Sequence, residues 1–371
     1  MSALLRLGLT GGAGFLAWHI RAHVHADKAV QAATSGRELF NHPEAVAAFV
    51  RDKNAIVHLA GMNRGDENEI ERTNIALTRS LINACEQERV LPHIVFVNST
   101  HCDRDTAYGR SKRRSAEMLA AWAAGSGARF TNLVCPGIFG EGGRPFYNSV
   151  VSTFCHQLAN DEKPRIHEDS EVELVHAQQV VARILSCVRN GETGEIRISG
   201  EVIRVSALRD RLYGLAEQYK ANVLPSLATP FDLALFNTYR SYLLPSYYPV
   251  SIKRHADARG SLFEVVKTVH GGQCFFSTTL PGVTRGNHYH TAKVERFLVA
   301  QGEALIRLRR LLANEVIEFR VSGETPVYID MPTFHTHNIT NVGHGELLTL
   351  FWAHEVFDPE RPDTFPEPVE P

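Results

Sequence analysis

The sequence lacks two features that would point to a nucleic-acid or membrane partner: an excess of one charge and a long apolar run. Of its 371 residues, 39 are lysine or arginine and 41 are aspartate or glutamate, so the formal net charge is −2. A nearly neutral chain has no overall field that favours nucleic acid or an anionic membrane. No apolar run reaches the roughly 18 residues of a membrane-spanning helix, and the chain enters a strand pattern too early for a signal peptide.

The sequence also lacks paired cysteines. Its six cysteines are scattered, and no two are spaced as CxxC. This spacing argues against a zinc ribbon and against a disulfide scaffold. We therefore expect reduced thiols in a cytoplasmic protein.

The pattern of apolar residues predicts two domains, as the length of 371 residues does. In the first part, short apolar runs alternate with helical stretches at about 15–25 and 68–88, which predicts a parallel sheet covered on both faces. After a linker at 245–249, many glycines separate short β-rich runs, which predicts an all-β sandwich or barrel. We place the domains at 1–246 and 247–371.

A glycine-rich turn follows the first predicted strand and opens a helix. It reads Thr10-Gly-Gly-Ala-Gly-Phe-Leu-Ala17, and such a turn lets backbone N–H groups approach a pyrophosphate at the positive end of a helix. Ala17 stands where the third glycine of the dinucleotide motif is usual. No acidic residue ends the second strand, and the nearby Arg37 suits the 2′-phosphate of NADPH. We expect the cofactor to contact the following residues: Gly11, Ala13, Gly14, Phe15, Leu16 and Arg37.

A second motif, Tyr108-Gly-Arg-Ser-Lys112, places a tyrosine and a lysine on one helix face. An ammonium beside a phenol lowers the phenol pKa, which makes the tyrosine a usable proton donor near neutral pH. Ser99, at the end of the preceding strand, can hydrogen-bond the same substrate oxygen, with Thr100 as the alternative. These residues predict the reduction of a ketone, with Ser99, Tyr108 and Lys112 as the catalytic group.

The β-rich part carries a cluster of metal-ligating residue types. His288 and His290 are one residue apart and therefore share one face of a strand, and Glu295 lies beyond a turn. His337 provides a third imidazole. Imidazole with carboxylate suits Zn, Fe, Mn or Ni, and we favour zinc.

These motifs resemble two known families. The glycine turn, Ser99, Tyr108 and Lys112 resemble the extended short-chain dehydrogenases/reductases, a Rossmann-type doubly wound α/β fold. That resemblance implies that Leu59, Ala60, Gly61 and Cys135 also line the cofactor. The region Gly282–Gly302 and the Pro332–Asn341 box resemble the cupin superfamily, a jelly-roll β-barrel, although Phe334 stands where its second box has glycine.

Together the two parts resemble the CapF family of bifunctional capsular polysaccharide enzymes. The resemblance implies that the cupin domain epimerises C3 of a UDP-4-keto-6-deoxy-N-acetylhexosamine and that the reductase domain reduces C4 with NADPH. It also implies a homodimer. We expect the UDP-sugar to contact the following residues: Asn63, Arg64, Tyr147, Asn148 and Ser149. The epimerase base stays open among four residues: Lys293, His335, Tyr289 and Glu355.

Two alternatives remain open at this stage. The cupin domain can serve only metal-stabilised dimerisation or substrate gating beside a simple reductase. The chain can also be a regulatory protein that senses NADPH without turnover, which the presence of Ser99, Tyr108 and Lys112 disfavours. In addition, His354 and the pair His176-Ala177 depart from the family pattern, and these departures bear on the exact sugar.

Overall fold

The computed structural model describes residues 4–258 and 260–370, without the side chains of Arg37 and Ser261. The chain divides into two compact units, Met1–Phe139 with Glu171–Ile203, and Gly140–Ser170 with Arg204–Pro371. Three helices, Val150–Ala159, Val205–Lys220 and Pro230–Arg240, therefore belong to the second unit, although they precede residue 247 in sequence. The boundary proposed at 246/247 stays a prediction.

The first unit is built on parallel strands that alternate with helices. Its strands are β1 (Leu5–Thr10), β2 (Val30–Ser35), β3 (Ala55–His58), β4 (His93–Ser99), β5 (Phe130–Cys135), β6 (Gly137–Phe139), β7 (Glu171–His176), β8 (Gly194–Arg197) and β9 (Glu201–Arg204). Its helices are α1 (Phe15–Val24), α2 (Pro43–Val50), α3 (Glu67–Glu88), α4 (Ala107–Ser126) and α6 (Ala177–Asn190). Six strands form one sheet in the order β2-β1-β3-β4-β5-β8, and β6, β7 and β9 form a small second sheet.

Both faces of the six-stranded sheet are buried, as the apolar runs predict. Leu7 and Leu9 of β1 are fully buried in one core cluster, which also contains residues of α1 and α6. Ile56 and Ile94 point to the other face and pack with residues of α2, α3 and α4. Since successive strand side chains alternate between faces, continuous apolar strands need helices on both sides. The doubly wound Rossmann-type fold is confirmed.

The second unit contains two antiparallel sheets and three helices. Its helices are α5 (Val150–Ala159), α7 (Val205–Lys220) and α8 (Pro230–Arg240). Its strands are β10 (Val250–Ser251), β11 (Arg254–Asp257), β12 (Gly260–Phe263), β13 (Gln273–Thr279), β14 (Thr284–Tyr289), β15 (Glu295–Gln301), β16 (Glu303–Arg310), β17 (Val316–Ser322), β18 (Val327–Met331), β19 (His335–Asn341), β20 (Leu347–Ala353) and β21 (Phe365–Pro366).

The strands of this unit form a sandwich, as expected of an all-β domain. One sheet has the order β10-β18-β15-β20-β13, the other the order β17-β16-β19-β14-β21, and β11 pairs with β12. The rings of Phe297 on β15 and His337 on β19 lie 5.6 Å apart, so side chains of the two sheets meet in the interior. Predicted ligand positions lie in both sheets, because β15 carries Glu295 while β14 and β19 carry His288 and His337.

A buried ion pair ties α7 to the strands of the second unit. The Arg296 guanidinium donates to both Asp330 oxygens at 2.7 and 3.0 Å, and both side chains are completely buried. The Tyr219 hydroxyl of α7 also donates to Asp330, and the guanidinium lies 3.6 Å above the Tyr328 ring. Such a pair is costly to break, because the remaining partner would be an uncompensated buried charge. Arg296 directly follows Glu295, so this anchor also fixes the strand that carries the candidate ligand.

No helix in the described part of the chain has both the length and the apolar character needed to cross a membrane.

Candidate active sites

The glycine turn after β1 brings three segments of backbone close together. Gly11 has a φ of +70°, and a Cβ built there would lie 3.0 Å from the Ala60 backbone nitrogen. A Cβ at Gly12 would lie only 2.5 Å from the Thr34 Cβ. Gly14 precedes α1 as its N-cap and offers no side-chain cap, so the first amides of α1 lack a capping side chain. A narrow cradle at an uncapped helix N-terminus fits a pyrophosphate.

Thr10 fixes the neighbouring segment that the cofactor is expected to contact. Its Oγ1 accepts hydrogen bonds from the backbone N–H groups of Leu59 and Ala60 at 3.0 and 3.1 Å. It also lies 2.8 Å from Nδ1 of His58, whose pKa burial and the Lys112 charge lower to about 3. These hydrogen bonds to Thr10 therefore hold residues 58–60 beside the glycine turn. Sequence reasoning missed Thr10, although its place directly before Gly11 was a usable signal.

The structure places Ser99, Tyr108 and Lys112 where β4 ends and α4 begins. Lys112 donates to the Val97 carbonyl at 2.9 Å, and its ammonium lies 5.9 Å from the Tyr108 ring centre. Ser99 accepts from the His101 N–H at 3.2 Å. Ser99 is also paired in register with Cys135 of β5, and the predicted contact of Cys135 with the cofactor stays a prediction.

The electrostatics of this pair differ from the sequence expectation. Burial raises the pKa of Tyr108 to about 12, with smaller contributions from Cys102 and Cys135. Burial likewise lowers the pKa of Lys112 to about 8. The expectation that Lys112 lowers the phenol pKa is therefore wrong for the protein alone. The ammonium is directed to the Val97 carbonyl, and desolvation of the phenol is the largest cause of its raised pKa. A protonated Tyr108 remains suited to donating a proton.

The remaining predicted contacts are distributed over both units. Asn63 and Arg64 are exposed in the loop between β3 and α3. Asn74 holds the start of this loop, because its side-chain amide exchanges hydrogen bonds with the Met62 backbone at 2.6 and 2.9 Å. Asn74 lies outside the sequence motifs and was therefore not predicted. The side chain of Arg37 lies outside the described residues, so its predicted contact with NADPH stays a prediction.

Tyr147, Asn148 and Ser149 lie in the second unit. The Ser149 side chain caps α5 by accepting from the Ser152 N–H at 3.2 Å. The Arg144 guanidinium lies 5.0 Å from the centre of the Tyr147 ring. Ser149 thus has a structural role in the helix cap, and the predicted contacts of all three residues with substrate stay predictions.

The four predicted metal ligands converge inside the sandwich. One ligand atom from each of His288, His290, Glu295 and His337 lies within 4.8 Å of the others. Nε2 of His290 lies 3.1 Å from a Glu295 oxygen. Nε2 of His337 lies 3.6 Å from the same oxygen, which is too long for a hydrogen bond, and this buried atom has no hydrogen-bond partner among the described residues.

Backbone carbonyls orient two of these rings. Nδ1 of His290 lies 2.6 Å from the Asp363 carbonyl oxygen, and Nδ1 of His337 lies 3.1 Å from the His335 carbonyl oxygen. Because a carbonyl oxygen only accepts, each Nδ1 must donate, and in a neutral ring the Nε2 atom is then the one that can coordinate a cation. This arrangement is usual for histidines that bind metals. The donor set and the unpartnered Nε2 of His337 fit a divalent cation.

Charge at the cluster also suits a cation. Burial opposes ionisation of Glu295, but His290 and His337 hold the pKa of its carboxyl well below its usual range. Burial lowers the pKa of His288 to about 3 and also lowers that of His337. The ionised Glu295 carboxylate, beside the imidazoles of His288 and His337 whose pKa values are lowered, supplies negative charge for a cation.

A cavity of about 410 Å³ opens onto the cluster. Its walls include His288, His290 and Glu295, and two of the four candidate bases, Lys293 and Glu355. Burial raises the pKa of Glu355. Among the described side chains, His335 and Tyr289 are not part of these walls. His335 bonds the Thr333 carbonyl at 2.9 Å, and the Tyr289 ring stacks on Phe365.

Two departures from the cupin pattern have structural explanations. Phe334 has a φ of +58°, the left-handed conformation for which a glycine is suited. Its backbone N–H donates to the His290 carbonyl at 2.7 Å, and its carbonyl accepts from Leu311 at 2.9 Å. Nδ1 of His354 accepts from the Val294 N–H at 3.0 Å and so supports the start of β15. Both residues preserve the backbone around the ligands.

The chain is similar to known proteins over nearly its full length. Residues 8–199 match the NAD dependent epimerase/dehydratase family, and residues 255–365 match the polysaccharide biosynthesis C-terminal domain. A UDP-2-acetamido-2,6-beta-L-arabino-hexul-4-ose reductase from Pseudomonas aeruginosa is 32% identical over 97% of this chain and 98% of its own. The crystal structure of the capsular polysaccharide assembling protein CapF from Staphylococcus aureus superposes with a TM-score of 0.65 at 29% identity, over 98% of this chain and 100% of that chain.

The chain is a CapF-type member of the NAD dependent epimerase/dehydratase family. A structure of RMD from Pseudomonas aeruginosa complexed with NADPH covers 57% of this CapF-type chain and 84% of its own, at 18% identity and a TM-score of 0.52, which shows a common fold alone. The family and fold class predicted from the sequence are confirmed. Membership supports the coarser prediction of an enzyme that uses a nicotinamide cofactor.

Proposed function

We propose that this CapF-type protein is a bifunctional enzyme of capsule or O-antigen biosynthesis. In the proposed reaction, the metal-binding unit epimerises C3 of a UDP-4-keto-6-deoxy-N-acetylhexosamine, and the reductase unit reduces C4 with NADPH. The observation that carries the proposal is the match over 97% of this chain to a reductase named for a UDP-linked 4-ketosugar. The two sites described above supply side chains for both steps.

The reductase residues have distinct tasks. The turn at Gly11 and the amides that open α1 would hold the pyrophosphate, while Leu59–Gly61 would line the dinucleotide. Reduced nicotinamide, when bound, supplies the hydrogen and two electrons that the ketone carbon accepts. Tyr108 donates the proton to the ketone oxygen, and Ser99 hydrogen-bonds that oxygen. Lys112 keeps the start of α4 against β4 through the Val97 carbonyl.

The second unit would act on the carbon beside the same ketone. His288, His290, Glu295 and His337 would hold a divalent cation, with zinc favoured by the three imidazoles and one carboxylate. When bound, such a cation would supply Lewis-acid stabilisation for the negative charge that develops on the ketone oxygen as C3 loses its proton. Lys293 and Glu355 line the cavity beside the ligands, so a Glu355 carboxylate can remove that proton and the Lys293 ammonium can return one.

Product analysis tests the proposal. The full-length protein, supplied with zinc, is incubated with UDP-4-keto-6-deoxy-N-acetylglucosamine isomers and NADPH, and with NADH in parallel. We expect NADPH to be consumed in proportion to the ketone and in preference to NADH, and mass spectrometry and NMR to show a C4 alcohol with inverted C3. Unchanged NADPH with every isomer contradicts the reductase. Reduction without inversion at C3 favours the alternative in which the second unit only stabilises or gates.

A further inference from the structure

The carboxylate of Asp363 accepts hydrogen bonds from the loop that directly follows the candidate ligand His290. One of its oxygens accepts from the N–H and the hydroxyl of Thr291 at 2.9 and 2.6 Å. The other accepts from the N–H groups of Ala292 and Lys293 at 2.9 and 2.7 Å. Four donors from three consecutive residues thus meet one charged group, and hydrogen bonds to an ionised acceptor are stronger than neutral ones.

The backbone around Asp363 reaches the same site. The Asp363 carbonyl accepts from Nδ1 of His290 at 2.6 Å, and the Pro362 carbonyl accepts from the Lys293 ammonium at 2.7 Å. The carboxylate therefore sets the position of the loop, while the adjoining carbonyls set the direction of one candidate ligand and one cavity-lining cation. All these contacts join residues about 70 positions apart in the sequence.

The segment that follows Asp363 is itself firmly held. Phe365 and Pro366 pair with Tyr289 and His288 of β14, and the Phe365 ring stacks on Tyr289 with centres 5.2 Å apart. Beyond them, the buried Arg309 donates to the Val369 carbonyl at 2.6 Å. Asp363 thus lies two residues before a strand that is held on β14, which lets it impose a geometry on the 291–293 loop.

We propose that Asp363 is a positioning residue for the candidate metal centre, acting on His290 through the 291–293 loop. The inference rests on the proposed role of His288, His290, Glu295 and His337 as metal ligands. Groups that orient metal ligands from the outer shell commonly change metal affinity by about 10–100-fold when they are mutated. No part of this role requires Asp363 to touch the metal or the substrate.

The test is metal binding by the full-length protein, measured with Zn²⁺ in competition with a chromophoric chelator and with the visible absorption spectrum of bound Co²⁺. For Asp363→Asn we expect about 10–100-fold weaker Zn²⁺ binding and an altered Co²⁺ spectrum. The matched control is Asp358→Asn, which removes the same charge five residues earlier, where the carboxylate accepts hydrogen bonds from the described residues Glu360 and Arg361 and has none with the 291–293 loop. The control should bind both metals as the wild type does.

A second variant tests the same role with a smaller risk of misfolding. Thr291→Val removes one of the four donors with little change in shape, and we expect a smaller loss of affinity of the same sign. Wild-type affinity and spectrum in both Asp363→Asn and Thr291→Val overturn the inference while leaving the metal site intact. A wild-type protein that binds neither Zn²⁺ nor Co²⁺ overturns the proposed metal site and the inference together.

Discussion

Replacing Tyr108 by phenylalanine is expected to reduce ketone-dependent NADPH oxidation by about 10²–10⁴-fold, the usual contribution of a positioned general acid. The variant keeps the ring that packs near Lys112 and His101, so the fold of α4 should survive. The variant loses the hydroxyl that we propose protonates the ketone oxygen, and NADPH binding should change little. Steady-state rates, together with fluorescence titration of NADPH, check both parts.

Tyr213→Phe is the matched control for this variant. Tyr213 lies on α7 and is 48% exposed, so its hydroxyl has no place in the proposed chemistry. We expect the wild-type rate from this control. A Tyr108→Phe enzyme that oxidises NADPH as fast as the wild type contradicts the assignment of Tyr108.

Replacing His337 by alanine is expected to weaken Zn²⁺ binding by more than about 100-fold, because outer-shell changes alone already cost 10–100-fold. His337 is completely buried, and its Nε2 points into the ligand cluster. Loss of the third imidazole leaves two histidines and Glu295. Epimerisation at C3 should fall with the metal content, which elemental analysis of the purified variant measures.

His344→Ala provides the control, since His344 is exposed in the turn after β19. Reduction of a ketosugar with the product configuration at C3 serves as an internal check that the variant is folded. We expect His337→Ala to retain this reduction. Full C3 epimerisation by metal-free His337→Ala would show that the cluster has no part in that step.

Much of the architecture could be predicted because it follows from local patterns. Apolar runs and glycine turns identified the sheet of the first unit, and the pair at His288 and His290 identified one side of the ligand cluster. The strand period of two predicted that both imidazoles share a face. In the structure β14 ends at Tyr289, so His290 directly follows the strand, and the two rings still lie 5.0 Å apart. The glycine turn likewise has a local cause, the positive φ of Gly11.

What could not be predicted depends on contacts between distant residues. The carboxylate of Asp363 meets Thr291–Lys293 only after the chain has closed the sandwich, and no spacing in the sequence signals that contact. The direction of the Lys112 ammonium depends on the Val97 carbonyl, so the pKa of Tyr108 did not follow from the YxxxK spacing. At Phe334 the motif predicts the backbone correctly although the residue type differs. This phenylalanine adopts the left-handed conformation that suits the usual glycine.

The measurement that tests the bifunctional account most directly is hydrogen exchange at C3 in D₂O without NADPH. The zinc-loaded protein is incubated with the UDP-4-keto-6-deoxy sugar, and the C3 proton is followed by NMR and mass spectrometry. The account predicts that one deuterium enters at C3 before any cofactor is added, and that later addition of NADPH traps this deuterium in the C4 alcohol. An unlabelled C3 in a protein that still reduces the ketone on addition of NADPH would contradict it.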